Sequence, residues 1–306
     1  MKGLELSEKY WNNVGKPAVT RKLPGLLDHV AFGMVGEGSE NFGFDDEISI
    51  DHDWGPGFCI WITAGEMPEY GEKAREIYAA LTDVYEGYQR KRVSAQTAGR
   101  TGVIQTEGFY LSLMKLKKFP KTNMDWMSAD ESGLAAATNG KVFLDRPGKF
   151  TEIRAKLKNY YPEDVFLKKL AGHCAGAAQS GQYNYRRCFL RGDKVASMQA
   201  LSIFISHIQA IVYLLNKTYM PYYKWTHRGM QNLPLLGKEL YAQIEQLSDT
   251  SKDQSTAIES ISAAVIAQLE IENISNISGD FLLDHAIEIQ KQIKDDLLRK
   301  TDLFLT

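Results

Sequence analysis

The sequence predicts an α+β chain in two parts, a mixed strand-and-helix domain over residues 1–150 and an all-α helical bundle over residues 151–306. Three observations carry this. Short β-branched and aromatic runs bounded by glycine or proline are confined to the first half. After Asp145-Arg146-Pro147-Gly148 the strand signals almost vanish, and long stretches with helical spacing follow. A length of 306 residues is long for one core and comfortable for two.

Taken in order, Leu4 to Val14 reads as a short amphipathic helix. His29 to Val35 (HVAFGMV) is a compact apolar run ending at Gly36, as a buried strand does. Phe58 to Thr63 (FCIWIT), preceded by Gly55-Pro56-Gly57, is a second strand. Pro68 to Tyr88 carries helical periodicity, with Ala74, Ile77, Tyr78, Leu81 and Tyr85 on one face. Val103 to Thr106 is a third strand, followed by an apolar helix from about Glu107. Lys141 to Leu144 (KVFL) is a weaker fourth. Helical patterns then cover roughly 149–159, 162–180, 182–191, 193–217, 234–247, 251–275 and 279–300. Residues 216–236, with Pro221, Gly229 and Pro234, read as an irregular connector.

Composition narrows the function classes. Apolar residues make up 44% and charged residues 24%, the balance of an ordinary globular chain, and the formal net charge is −2. Near-neutral charge gives no basic track for a nucleic-acid backbone, so a nucleic-acid partner is not expected. Cys59, Cys174 and Cys188 are odd in number and form no CxxC pair, which argues for free thiols rather than disulfides or a zinc site. The N-terminus has no apolar signal core, and the apolar stretch from Leu201 to Leu215 falls short of the roughly 20 residues of a membrane span. A cytoplasmic protein with no membrane partner is the expectation, and homo-oligomerisation is left open.

The stretch that carries chemistry runs from Val35 through Gly36-Glu37-Gly38-Ser39 and Gly43 to Asp51-His52-Asp53. A strand ends in glycines and a Gly-Ser pair opens what reads as a helix. Glycine lets backbone approach a phosphate closely, serine adds a hydroxyl donor, and a helix N-terminus presents free N–H groups. Gly38, Ser39 and Gly43 are therefore candidate nucleotide-binding residues. Asp51 and Asp53 are two apart, so on a strand both side chains face one way, about 7 Å apart. Two carboxylates so placed repel unless a cation lies between them, and hard oxygen ligands of this kind suit magnesium completed by substrate phosphates. The competing reading is an acidic solvated loop, since Asp45, Asp46 and Glu47 are nearby.

An apolar strand, Gly-Ser, a later glycine, a variable loop and Asp-x-Asp resembles the signature of the DNA polymerase β-like nucleotidyltransferase superfamily. The blocks GEGSENFGFDDEISIDHDWGPGF, ATNGKVFLD, YYPEDVFLKKLA and YMPYYKW look like those of a bacterial family of nucleotidyltransferase-like proteins related to the aminoglycoside nucleotidyltransferases. Trp54-Gly55-Pro56 departs from the aliphatic residues that usually follow the carboxylate pair. The resemblance implies a polymerase-β-like catalytic domain followed by a helical bundle, Mg2+ held by Asp51 and Asp53, and ATP or another nucleoside triphosphate as donor. It further implies a third carboxylate acting as metal ligand or base, for which Glu107 at the end of the third strand is the candidate and Asp145, in turn-forming sequence, a weaker one. In relatives a lysine of the helical region can reach the triphosphate, and Lys168 or Lys169 could do so here.

Other features divide between site and scaffold. Gln179 to Arg187 is unusually polar and aromatic for a helix interior, and reads equally as a cleft lining or as a helix junction at Gly181. Tyr222, Tyr223, Lys224 and Trp225 fit packing between helices better than stacking on a ligand. His52 points away from the aspartates by strand alternation, and His173 reads as packing. The function predicted is transfer of a nucleoside monophosphate to an acceptor hydroxyl, on an antibiotic-like or other small molecule. The alternatives are a nucleotide-binding or interaction protein without catalysis, and an enzyme that AMPylates a protein partner in the manner of an antitoxin.

Overall fold

The computed structural model describes residues 1–50, 54–90 and 100–306. It is mixed α+β, mostly helical, with a small mixed sheet. Its contacts divide into two compact units, one of residues 1–119 with 129–159 and one of residues 120–128 with 160–306.

In the first unit, α1 (Gly3–Tyr10) continues through a wide π-helical turn, Trp11–Gly15, into α2 (Lys16–Lys22). The helical run is thus longer than the periodicity of Leu4 to Val14 suggests. Trp11 stacks on Phe32 at 4.2 Å, and a Cβ on Gly15 would stand 2.6 Å from the Phe58 ring, so glycine there lets the helix lie against the sheet. The strands are β1 (Ala31–Met34) and β2 (Cys59–Ile62), followed by α3 (Met67–Ala79).

The predicted helix of Pro68 to Tyr88 ends at Ala79 because a hairpin takes over: β3 (Val84–Tyr85) and β4 (Tyr88–Gln89). Its turn is Glu86-Gly87, both with positive φ (48° and 83°), as a tight two-residue hairpin requires. Next come β5 (Gly102–Gln105) and α4 (Thr106–Leu113). After α5 (Asn123–Met127), which belongs to the second unit, the first unit closes with α6 (Glu131–Thr138), β6 (Lys141–Asp145) and α7 (Lys149–Lys158).

The main sheet has the order β5-β2-β1-β6. β1 is antiparallel to both neighbours, and β2 is parallel to β5. Phe32, Ile60 and Ile62 face a core completed by Tyr10, Trp11, Val19, Leu26, Ala74 and Ile77. On the other face Trp61 stacks on Phe150 at 3.9 Å, and Phe109 and Tyr110 pack beside it. Gly33 lies under that ring, where a Cβ would meet it at 2.9 Å. Helices thus cover both faces and leave the strand ends as the places where polar backbone must find partners.

The second unit is built on one long helix. α8 (Glu163–Ala177) runs through a π-helical stretch, Ala178–Tyr185, into α9 (Arg186–Leu190). There is no helix junction at Gly181. Instead the helix widens where small residues meet α10 (Lys194–Leu215): Gly181 abuts Phe204 and Gly176 abuts the His207 ring, each leaving 2.3 Å to an added Cβ. The connector 216–236 holds a helix, α11 (Tyr223–Met230), before α12 (Gly237–Gln246) and α13 (Ser255–Ile271). The predicted helix of 279–300 is two pieces, α14 (Leu282–Lys291) and α15 (Asp296–Arg299). The break is stabilised by the Asp164 carboxylate, which accepts from the N–H groups of Lys294 and Asp295, and by Asp295, which caps α15.

Among the described residues, one helix, α10, is long and apolar enough to cross a membrane by length and composition, and 61% of its most apolar window is packed inside the fold. None of the three cysteines is in a disulfide; Cys59 and Cys174 are buried.

Candidate functional site: the glycine turn at the end of strand β1

Strand directions fix which residues share an end of the sheet. Gly33 pairs with Cys59, and Cys59 with Gly102. The C-terminal end of β1 therefore lies beside the N-terminal ends of β2 and β5 and, because Met34 pairs with Lys141, of β6. At this end the chain leaves β1 through Gly36-Glu37-Gly38. Gly36 and Gly38 have φ of 125° and 135°, a region closed to other residues. Ser39 then begins a single 3-10 turn, Ser39–Phe42, which stops at Gly43 with φ 72°. The expected helix after Gly38-Ser39 is thus one turn, so the chain presents glycine-turn backbone here rather than the dipole of a helix. Gly43 is required by its left-handed backbone alone, since nothing lies within 4 Å of an added Cβ. At Gly38 an added Cβ would stand 2.6 Å from the buried Glu40 carboxylate.

A frame of amides holds this turn. Asn139 Oδ1 accepts from the Gly36 N–H (3.0 Å), and Asn139 Nδ2 donates to the Gly36 carbonyl (2.9 Å). Asn41 Nδ2 donates to the same carbonyl (3.1 Å), while the Asn41 carbonyl accepts from the Gly140 N–H (3.0 Å). The Arg154 guanidinium, buried behind, donates to the carbonyls of Ala137, Thr138 and Asn139. Gly140, with φ 59°, lies so close to the Met34 carbonyl that a Cβ would stand 2.1 Å from it. Asp45 ties the N-terminus to the same region, accepting from Gly3 N–H (2.7 Å) and from the Trp54 indole (3.3 Å). Glu37, exposed on the turn, has Arg100 at 3.9 Å, and Lys115 feels its charge while pairing with Asp130.

Asp51 and Asp53, the predicted metal ligands, lie outside the described residues. Trp54, the next residue along, is buried at this end of the sheet through its bond to Asp45. No group of three or more histidine, cysteine or acidic side chains placed to hold a metal occurs among the described residues.

The remaining predicted residues are elsewhere. Glu107 is in the first turn of α4, past the C-terminal end of β5, and its Oε2 accepts from the Ala64 N–H (3.0 Å) and the Gln105 amide (2.9 Å). It belongs to the opposite end of the sheet from the glycine turn, and a four-residue strand alone spans about 10 Å. A base or metal-ligand role at the turn is not compatible with this register. The slip arises because β5 runs parallel to β2, so its C-terminal residue points away from the end where β1 finishes. Asp145 is at that far end too and accepts from Gly148 and Thr151 N–H groups, as turn chemistry predicts.

Lys168, in the second unit, is fully buried. Its ammonium donates to Gln290 Oε1 (2.8 Å) and to the carbonyls of Asp302 (2.6 Å) and Leu303 (3.3 Å), so its donors are committed to the C-terminal segment. Burial pulls this amine down to about 8. Lys169 is buried with its Nζ over the Tyr161 ring at 5.3 Å. Gln182 bridges Glu259, Asp280 and Leu282, and Tyr185 bridges Lys252 and Gln254, so these parts of the polar helix stretch serve packing. Tyr222 and Tyr223 are exposed rather than packed in a core. His173 and His207 face each other, Nδ1 to Nδ1 at 2.9 Å, and burial pulls both below the usual histidine range.

Comparison with known proteins adds the following. Residues 126–226 match a domain of unknown function, DUF4037. No curated protein matches the chain. Among solved structures, the chain is similar to a nucleotidyltransferase-like protein from Exiguobacterium sibiricum 255-15, at 10% sequence identity and a TM-score of 0.39, over 92% of this chain and 81% of that one.

Proposed function

We propose that the chain is a magnesium-dependent nucleotidyltransferase that moves a nucleoside monophosphate from a nucleoside triphosphate, ATP in the simplest case, to an acceptor hydroxyl. The observation that carries this reading is the Gly36–Ser39 turn. It is a positive-φ backbone held open by neutral amides, at the sheet end where β2 begins. The sequence places Asp51-x-Asp53 just ahead of β2. Backbone N–H groups of a glycine-rich turn suit phosphate oxygens, and the absence of a Cβ at Gly36 and Gly38 lets a phosphate approach. The donor set of Asp51 and Asp53 is hard oxygen and suits magnesium, which when bound neutralises charge on the phosphates.

The acceptor oxygen bonds to the α-phosphorus, the bond from that phosphorus to the bridging oxygen breaks, and pyrophosphate leaves as the hydroxyl gives up its proton to water. The contribution of this chain is positioning and charge neutralisation. The acceptor is proposed to be a small molecule, antibiotic-like in its hydroxyl groups, and the protein to act in the cytoplasm.

The test is pyrophosphate release from magnesium-ATP across a panel of hydroxyl compounds. Release that disappears in the doubly substituted Asp51→Asn, Asp53→Asn protein, with its melting temperature unchanged, supports the assignment. Undiminished release from that protein ends it.

A further inference from the structure

The geometry points to Asn139 as the positioning residue for the phosphate-binding turn, acting as a side-chain substitute for a missing strand neighbour; this rests on the function proposed above. The β1–β6 ladder ends where Met34 pairs with Lys141. Beyond it Gly36 needs partners for both its N–H and its carbonyl, because a buried unpaired peptide group is destabilising. Gly36 is buried, and the β6 chain cannot supply a backbone partner because it turns away at Gly140. The Asn139 carboxamide has the same donor and acceptor as a peptide and meets both groups of Gly36, across 103 residues of sequence.

Its own position is fixed independently. Arg154 holds the Asn139 backbone carbonyl, and Gly140 is bound to Asn41, the residue that gives Gly36 its second carbonyl donor. Gly36 is thereby held at φ 125°, and the Glu37-Gly38-Ser39 backbone starts from one defined direction. A neutral amide serves this purpose where an acid would not. A carboxylate could accept from the Gly36 N–H, but it would face the Gly36 carbonyl with a second acceptor and add negative charge beside a phosphate site. Asn139 touches no reacting atom. Its effect is on how tightly the turn takes phosphate oxygens.

The test uses the full chain and magnesium-pyrophosphate as the probe, so that the unidentified acceptor does not enter. Wild type, Asn139→Ala and Asn139→Asp are titrated by calorimetry, and backbone amide exchange is followed at Gly36 to Ser39 and across β1 and β2. The expected result is affinity at least tenfold weaker in both variants, with faster exchange confined to residues 36–39 and melting temperatures close to wild type. Wild type that binds the probe alongside variants that bind it equally well overturns the role of Asn139 and leaves the proposed function standing. Faster exchange spread over the whole sheet, with binding lost in proportion, assigns Asn139 to general stability and also overturns it. Wild type that binds neither magnesium-pyrophosphate nor magnesium-ATP removes the function itself.

Discussion

At one end of the four-stranded sheet the side chains that hold Gly36 are neutral amides, and at the other the chain beyond the strands is held by carboxylates. Asn139 and Asn41 surround Gly36 at the first end. At the second, Glu107 accepts from Ala64, Asp145 from Gly148 and Thr151, and Glu66 from Thr63 while pairing with His29 and Lys149. Each of these acids is committed to a turn, a helix start or an ion pair. The two amides hold Gly36 in an unusual conformation without themselves bringing charge, while the carboxylates at this end, Glu40 beside Gly38 and Asp45 on the Gly3 N–H, stand off Gly36 itself. The acidic end is scaffold, although its carboxylates stand after strands, where catalytic acids are often sought.

Breaking the frame at the amide end should have the largest effect. Gly140→Ala puts a Cβ 2.1 Å from the Met34 carbonyl at a residue with φ 59°. Steric displacement and left-handed strain together predict a loss of about 2–4 kcal/mol in urea unfolding, with loss of magnesium-pyrophosphate binding. A variant as stable as wild type would show that the turn tolerates a shift and is not rigid.

The same idea of commitment extends to Lys168 in the second unit, whose amine binds one amide oxygen and two carbonyls. Lys168→Met leaves those acceptors unpaired, and a loss of about 2 kcal/mol at pH 7 is expected. The pH dependence gives a second check. Burial lowers the folded value to about 8, so above that pH the folded state has released a proton that the unfolded chain keeps. The stability difference between wild type and Lys168→Met should therefore move in favour of wild type between pH 8 and about 9.5, whereas the buried Cys174 thiol, pushed up to about 12, ionises only in the unfolded chain over this range and lowers both proteins alike. A difference that does not change with pH places the titration elsewhere.

At the acidic end, Glu107→Gln keeps an oxygen for the Ala64 N–H and should lower stability by about 1 kcal/mol. Pyrophosphate release should stay within about twofold of wild type, whereas removal of a general base slows turnover by about a hundredfold or more. A loss of that size would reverse the contrast between the two ends.

Particular residues show what the sequence reveals and what it hides. β1 and β2 are legible because every residue of AFGM and CIWI is buried, and the half-buried edge strands β5 and β6 because GVIQ and KVFL are short β-branched and aromatic runs next to turn residues, a local signal in each case. The glycines of the turn are legible for the same reason. The hairpin at Glu86-Gly87 is masked by helical spacing that continues through Leu81 and Tyr85, where turn chemistry prevails over periodicity. Glu107 misleads because strand direction, which decides the end of the sheet at which it stands, is a tertiary property. Asn139 is hidden for a related reason: Asn-Gly before a strand reads as a turn, and nothing local points 103 residues back to Gly36. Lys168 follows a good helix start and looks like a solvated or ligand-reaching lysine until the C-terminal carbonyls close over it.

The smallest expected effect concerns Glu66, and it separates charge from neutral framing directly. Burial pushes its carboxyl up, but hydrogen bonds from Thr63, His29 and Lys149 outweigh that and hold it below the usual glutamate range. With the folded value depressed, the folded state binds fewer protons, so the stabilisation is present above the unfolded value and is lost as pH falls through the folded one. The stability difference between wild type and Glu66→Gln should be under about 1 kcal/mol at pH 6, shrink toward pH 3, and shrink again in molar salt at pH 6. Amide exchange at Gly36, held by Asn139 and Asn41 without any charge, should show no comparable salt dependence. Equal salt sensitivity at the two ends would mean that the glycine turn is held electrostatically, through Glu37 and its neighbours Arg100 and Lys115, rather than by its amides.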